Sequence, residues 1–202
     1  MTLATDRVRL GAQLMVSPIC LGAVDDPDTV VAAYDRGVNF FFVSADLHWP
    51  RYQAVRVGLE RLLAARPHAR DKIVVAGVSY IVQKDFCAVS FHELIDSVAG
   101  LEWLDVLVAG GAYNSDEARF LRYATMRVEG HVGARAIGAS FHDRGAALRC
   151  IAGETFDLAF VRYNAHHCGA RSDLFPHIDP GTPVRVYGFK AAAGAPTDAR
   201  CR

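Results

Sequence analysis

The sequence has no excess of charge of either sign. Its 202 residues include 22 Lys and Arg and 22 Asp and Glu, so the formal net charge at neutral pH is zero. Proteins that bind nucleic acid or anionic membranes generally carry a concentrated basic surface. The balance gives no electrostatic case for either partner, and we expect this protein to bind neither nucleic acid nor a membrane.

Long apolar runs and a secretion signal are also lacking. No apolar run reaches the roughly 18 residues that a transmembrane helix needs. The first residues, 1–7, have neither the charged nor the apolar region of a signal peptide. These absences predict a cytoplasmic protein.

The cysteines lack the spacing of a disulfide framework or a zinc ribbon. The five are Cys20, Cys87, Cys150, Cys168 and Cys201. They are odd in number, widely spread, and include no Cys-x-x-Cys pair, so we expect them to be reduced. The run His166-His167-Cys168 suggests a metal ligand set, but adjacent loop residues rarely reach one ion and no second cluster exists. We therefore expect no metal.

Apolar strand-like segments alternate with helical ones over most of the chain. A hairpin is predicted over 8–16, and strands are predicted over 19–23, 38–43, 73–78, 104–109, 134–139, 158–162 and 184–187. Helices are predicted to begin near Pro27, Pro50, Phe91, Ser115 and Asp143. The alternation is typical of right-handed βαβ units, and it fits either a doubly wound sheet or an eight-stranded barrel.

Several ordered sequence blocks resemble the aldo-keto reductase superfamily. They are 9–11, 16–22, 37–41 (Gly-Val-Asn-Phe-Phe), 104–107, 132–140, 156–158, 163–164 and 186–188. The resemblance implies an α/β fold, a (β/α)8-type TIM barrel, with its active site at the carboxyl ends of the strands. A complete barrel needs eight strands and about 250 residues, whereas seven parallel strands can be counted here. We expect an incomplete barrel of about seven strands with an N-terminal hairpin.

The predicted domain covers residues 1–190, and residues 191–202 form a weakly structured tail by composition. An unclosed parallel sheet exposes a strand edge. The tail, a second copy in a homodimer, or a partner protein is expected to cover that edge.

The same resemblance places other residue types at the four catalytic positions of the family. Phe42 stands where the family has Asp, Leu47 where it has Tyr, Val78 where it has Lys, and Gly110 where it has His. Shifting the comparison with the family by one residue in this segment would put His48 at the tyrosine position, with the Asp and Lys still absent. Because Phe, Leu, Val and Gly donate no proton to a forming alkoxide, the resemblance implies that reductase chemistry is lost.

The positions that the resemblance places against a nicotinamide ring are mixed. Ser140 and Tyr187 are retained, whereas Phe141 and Phe160 replace the usual Asn and Gln. We expect no cofactor, and binding of NADPH at an altered site is the alternative.

Polar and aromatic residues follow the predicted strands, where the loops of a barrel converge. We predict four catalytic residues, His48, His142, His166 and Lys190. We predict ten residues that contact a small-molecule substrate, Phe42, Asp46, Trp49, Tyr80, Gly110, Asn114, Phe160, Arg162, Asn164 and Tyr187. Several histidines near an Asp, an Arg and a Lys supply the groups that general acid and base catalysis requires.

Each candidate has a structural alternative. His48 could simply precede a helix, and Arg162 could pair with Asp46 or Asp143 instead of a bound carboxylate or phosphate. Lys190 could form a Schiff base, stabilise an anion, or lie solvated on a loop.

The glycines at 110 and 111 predict a wider mouth, and Phe42, Phe160 and Phe189 predict apolar walls, as a bulky apolar ligand requires. The leading hypothesis is a cofactor-independent lyase, dehydratase, isomerase or cyclase acting on an apolar intermediate of small-molecule biosynthesis. The alternatives are an NAD(P)H-dependent oxidoreductase with an altered site and a non-catalytic barrel subunit.

Overall fold

Strands and helices alternate along the chain, as the sequence predicts. The computed structural model describes residues 3, 5–113, 116–164 and 166–191. The strands are β1 (Val8–Leu10), β2 (Leu14–Val16), β3 (Cys20–Leu21), β4 (Phe40–Ser44), β5 (Val74–Ser79), β6 (Val106–Ala109), β7 (Ala136–Phe141), β8 (Leu158–Arg162) and β9 (Arg185–Phe189). The α-helices are α1 (Asp28–Asp35), α2 (Gln53–Ala65), α3 (Val89–Asp96), α4 (Glu117–Val128), α5 (Arg144–Ala152) and α6 (Ala170–Asp173). Short 3-10 helices cover Pro50–Tyr52, Pro67–Ala69, His131–Gly133 and Phe175–His177.

Strands β3 to β9 form one parallel sheet in which each strand pairs with the next along the chain. This order excludes a doubly wound sheet, in which the strand order reverses. The sheet curls until Phe40 of β4 meets Tyr187 of β9, with ring centroids 5.4 Å apart. The structure is thus an α/β fold with a nearly closed parallel barrel of seven strands and a separate hairpin, which confirms the prediction of an incomplete barrel of about seven strands with an N-terminal hairpin.

The hairpin of β1 and β2 covers the end of the barrel at which the strands begin. Leu10, Leu14 and Val16 are buried against the first residues of the parallel strands, such as Phe40. The Asn39 side chain fixes this arrangement, since its amide donates to the Met15 carbonyl at 3.0 Å and its oxygen accepts from the Ser17 amide at 2.6 Å. The Gly-Val-Asn block therefore joins hairpin and barrel.

Side chains of the central strands are buried on both faces, because successive residues point to opposite sides of a strand. One set fills the barrel interior, for example Phe40, Val78 and Phe160. The other set packs under the helices, with Phe41 and Val75 among its members. Burial of each such side chain stabilises the fold by about 1.5–3 kcal/mol. No helix in the described ranges is long and apolar enough to cross a membrane.

A buried carboxylate ties together three strands near their starts. The Asp105 side chain is fully buried and accepts hydrogen bonds from the Val75 amide at 2.7 Å and from the Arg70 guanidinium at 3.1 Å. Its other oxygen accepts from the Trp103 indole at 3.1 Å and from Arg135. These hydrogen bonds replace the ones that the carboxylate would make to water, so its negative charge is tolerated inside the fold.

Strands β3 and β9 are the two ends of the sheet, and within the described residues neither pairs with the other. We call the gap between them the seam. Two side chains of β9 make bonds beside it: the Tyr187 hydroxyl donates to the carbonyl of Ser17, just before β3, at 2.7 Å, and Arg185 Nε donates to the carbonyl of Arg9 in the hairpin at 2.8 Å. The predicted tail lies outside the described residues, apart from residue 191.

Candidate functional site

A cavity of about 1060 Å³ follows the seam from one end of the barrel to the other. Residues 18–23 line one side of it and residues 185–191 line the other. We call it the seam cavity. Of the predicted site residues, it contains Phe42, Trp49, Tyr80, His142, Phe160, Tyr187 and Lys190. A concave, mostly apolar space of this size is typical of a small-molecule site.

Aromatic rings form a continuous wall in the seam cavity. Phe42 meets Phe160 edge-on, with centroids 4.8 Å apart, and Phe160 lies 5.9 Å from Tyr187. Towards the mouth, the Phe42 ring lies 6.0 Å from Tyr52, which in turn contacts Trp49 at 5.2 Å. Packed rings resist collapse of the cavity and offer flat apolar surface to a ligand.

The phenols of this wall remain protonated at neutral pH. Burial is the main cause that raises the pKa of Tyr52, Tyr80 and Tyr187 above the usual value for tyrosine. A buried phenolate would lose its hydration, so the neutral form is favoured. These hydroxyls can donate hydrogen bonds but do not act as bases.

His142 and Lys190 line the seam cavity at the carboxyl ends of β7 and β9. The His142 ring packs edge-on against Phe189, with centroids 5.5 Å apart, and its side chain is exposed. Lys190 has a left-handed backbone (φ 58°), which is uncommon for a residue other than glycine. The Asn164 amide donates to the Lys190 carbonyl at 3.1 Å and so helps to hold this turn.

Asn164, predicted to contact substrate, is a buried residue that organises the loop after β8. Its side-chain oxygen accepts from the amides of His166 at 3.0 Å and His167 at 2.9 Å. With the bond to the Lys190 carbonyl, the side chain links two strand ends. We assign it a positioning role.

A second pocket, of about 510 Å³, is lined by Asp46, His48, Trp49, Pro50 and Tyr80. The His48 amide donates to the Asp46 carboxylate at 3.1 Å, which shapes the loop after β4. Trp49 and Tyr80 line both cavities and contact each other with centroids 5.8 Å apart. His48 does not line the seam cavity, although its neighbour Trp49 does.

None of the other predicted residues that the structure describes lines either cavity. His166 is exposed on its loop. Arg162 is half-buried at the end of β8, forms no salt bridge with a carboxylate of the described residues, and leaves its buried Nε without a hydrogen-bond partner there. Asn114 lies outside the residues that the structure describes.

The expectation that Gly110 opens the mouth is wrong. A Cβ atom at Gly110 would lie 2.6 Å from the Tyr80 ring and 2.9 Å from a Val78 methyl group. The Tyr80 ring therefore occupies the space that a side chain at this position would need. The glycine permits close packing of an aromatic ring instead of leaving a void.

Sequence reasoning missed several residues of the seam cavity, namely Arg9, Cys20, Arg51, Tyr52 and Arg185. Most of the predicted residues follow the carboxyl ends of the strands, whereas this cavity also extends along the strand edges. The count of seven parallel strands was the signal that pointed to such a gap.

The chain matches no protein-family model and no curated protein sequence. The relation to aldo-keto reductases therefore stays a prediction from the sequence blocks. Among the described residues, no three His, Cys, Asp or Glu side chains lie close enough together to hold a metal ion.

Proposed function

We propose that the protein is a cofactor-independent enzyme of the lyase, dehydratase, isomerase or cyclase type, acting on an apolar small molecule. The observation that carries this proposal is the seam cavity, which combines an aromatic wall with His142 and Lys190 at one end. We also infer that the scaffold is an aldo-keto-reductase-type barrel that no longer transfers hydride.

His142 would move the proton in this reaction. Imidazole exchanges protons near neutral pH, and an exposed ring at a cavity mouth can reach a bound substrate. When the imidazole removes a proton from substrate carbon, the electron pair left behind makes an anion, which the Lys190 ammonium group would stabilise. The imidazolium would return the proton to another carbon in an isomerase, or to the leaving group in a lyase or dehydratase.

A substrate screen followed by four variants tests the proposal. A library of apolar carbonyl and alkene compounds is incubated with the protein, without added cofactor, and products are detected by mass spectrometry. For a compound that is converted, we expect His142→Ala and Lys190→Ala to lower turnover by about 10²-fold or more, as removal of a proton-transfer group does. His48→Ala and His166→Ala are matched controls outside the seam cavity and should keep the wild-type rate. Equal activity of all four variants would contradict the proposal.

Titration with NADPH separates this proposal from the oxidoreductase alternative. We expect no change in nicotinamide fluorescence at millimolar cofactor. Saturable binding, followed by cofactor oxidation with a ketone, would favour a reductase.

A second candidate is a non-catalytic barrel that another strand completes. The outer edges of β3 and β9, with which no strand of the described residues pairs, favour it, because open edges of parallel sheets are ordinarily covered. Light scattering tests it: a monomer that converts substrate argues against this candidate, and a stable dimer without activity supports it.

A further inference from the structure

Positive charge is concentrated around the seam cavity although the chain as a whole is neutral. Arg9, Arg51, Arg185 and Lys190 line this cavity, and no Asp or Glu of the described residues does. The whole sequence has equal numbers of both signs, 22 each. The charged side chains of the described residues that line the seam cavity are therefore all positive, in contrast to the neutral chain as a whole.

No carboxylate among the residues that the structure describes neutralises the four cations. None of them takes part in a salt bridge with a carboxylate in the described part of the chain. Arg185 uses its Nε to bond the Arg9 carbonyl, which leaves the rest of its guanidinium for another partner. Guanidinium and ammonium groups bind carboxylate, sulfonate and phosphate groups best where an apolar wall lowers the local dielectric.

The positions of the cations match an elongated ligand. Arg185 begins β9 and Lys190 follows its last residue, so the two cations lie at opposite ends of the strand. At about 3.3 Å per residue, that strand separates them by roughly 16 Å. The aromatic wall of Phe42, Phe160 and Tyr187 lies between the two ends.

We propose that the ligand of the seam cavity is an amphipathic organic anion. Its apolar body lies on the aromatic wall, and its carboxylate, sulfate or phosphate group is bound at the mouth by Arg51 and Lys190. This inference rests on the proposed function, because the ligand occupies the same cavity as the substrate. It specifies that the otherwise apolar substrate also carries a negatively charged group.

Two matched fluorescent probes test the charge class. 8-Anilinonaphthalene-1-sulfonate and N-phenyl-1-naphthylamine have the same aromatic body, and only the first carries a sulfonate. We expect the anionic probe to bind at least about 10-fold more tightly, equivalent to about 1.4 kcal/mol. This advantage should shrink in Arg51→Gln and Lys190→Ala, and in high salt, which screens charges.

Control variants show where the probes bind. Lys84→Ala and Arg171→Gln remove exposed cations that do not line the cavity, and they should leave both affinities unchanged. Gly22 lines the cavity, and no heavy atom lies within 4 Å of a Cβ built on it. Gly22→Leu should therefore block both probes without lowering the free energy of unfolding.

The outcomes separate failure of this inference from failure of the proposed function. If both probes bind equally and Gly22→Leu blocks both, the cavity is a ligand site but the charge class is wrong. If neither probe binds, or if Gly22→Leu leaves binding intact, the seam cavity is not the ligand site and both proposals are overturned.

Discussion

The Tyr187 hydroxyl donates a hydrogen bond of 2.7 Å to the backbone carbonyl of Ser17, across the seam of the barrel. Within the described ranges no strand pairs with the outer edge of β9, so this bond attaches β9 to the segment that precedes β3. The same ring packs against Phe40 in the barrel interior. A residue that the sequence resemblance places against a nicotinamide ring thus also links the two sides of the seam.

We predict that Tyr187→Phe destabilises the fold by about 1 kcal/mol, because the ring stays and only one partly buried hydrogen bond is lost. Urea denaturation measures the change. Tyr113→Phe is the matched control, since Tyr113 is 55% exposed and removal of its hydroxyl should change stability by less than about 0.5 kcal/mol. Equal effects of the two variants would show that the bond does not hold the seam.

The strands could be predicted from the sequence because doubly buried parallel strands are nearly continuous apolar runs. The strand predicted over 158–162 coincides with β8, and the helix predicted from Asp143 begins with that residue as its cap, accepting from the Ala146 amide at 2.6 Å. Alternation of this kind depends on neighbours in sequence, so it is visible without coordinates.

The grouping of the site residues could not be predicted in the same way. His48 and His142 both follow strands, yet they line different pockets. Trp49 and Tyr80 line both pockets and form the boundary between them. Which wall a loop side chain joins depends on contacts between rings far apart in sequence. Tyr80 illustrates this, because its ring fills the space beside Gly110 that the sequence suggests is open.

Gly110→Ala tests that close packing. The added methyl group would lie 2.6 Å from the Tyr80 ring, and overpacking of this kind typically costs about 1–3 kcal/mol. We expect a corresponding fall in the free energy of unfolding and a changed fluorescence of Trp49, whose ring contacts Tyr80. Gly22→Ala adds the same group in open space and should change neither quantity. A stable Gly110→Ala variant with unchanged fluorescence would contradict the packing described.

Asp105→Asn should be the more destabilising of two carboxylate replacements. It leaves the Arg70 guanidinium, whose side chain is 5% exposed, without its charged partner. Loss of one partner from a buried pair costs about 3–5 kcal/mol. Asp35→Asn removes a carboxylate that pairs with Arg66 at the surface, where water screens the charges and such pairs contribute little to stability. Chemical denaturation compares the two, and a larger loss for Asp35→Asn would refute the assignment of Asp105 as an organising group.

We predict that the free energy of unfolding falls in mild acid because of the contact between His92 and His131. Their Nε2 atoms lie 3.0 Å apart, so one ring donates and the other accepts, which requires a ring nitrogen without a proton. Burial, followed by the charges of His92 and Arg122, lowers the pKa of His131 below its usual value. Below about pH 6.5 the unfolded chain therefore binds more protons at this residue than the folded protein does. The stability present above that pH is lost as the pH falls towards the lowered pKa of the folded state.

Denaturation midpoints at pH 7.5 and pH 5.5 measure this dependence, and His131→Gln isolates it from the carboxylates that also titrate in acid. We expect the variant to lose less stability than the wild type over this interval, because its side chain takes up no proton in either state. His68→Gln removes an exposed histidine and should keep the wild-type difference. If His131→Gln and the wild type lose stability equally, protonation of His131 does not oppose folding, and the pKa of His131 is not lowered in the folded protein.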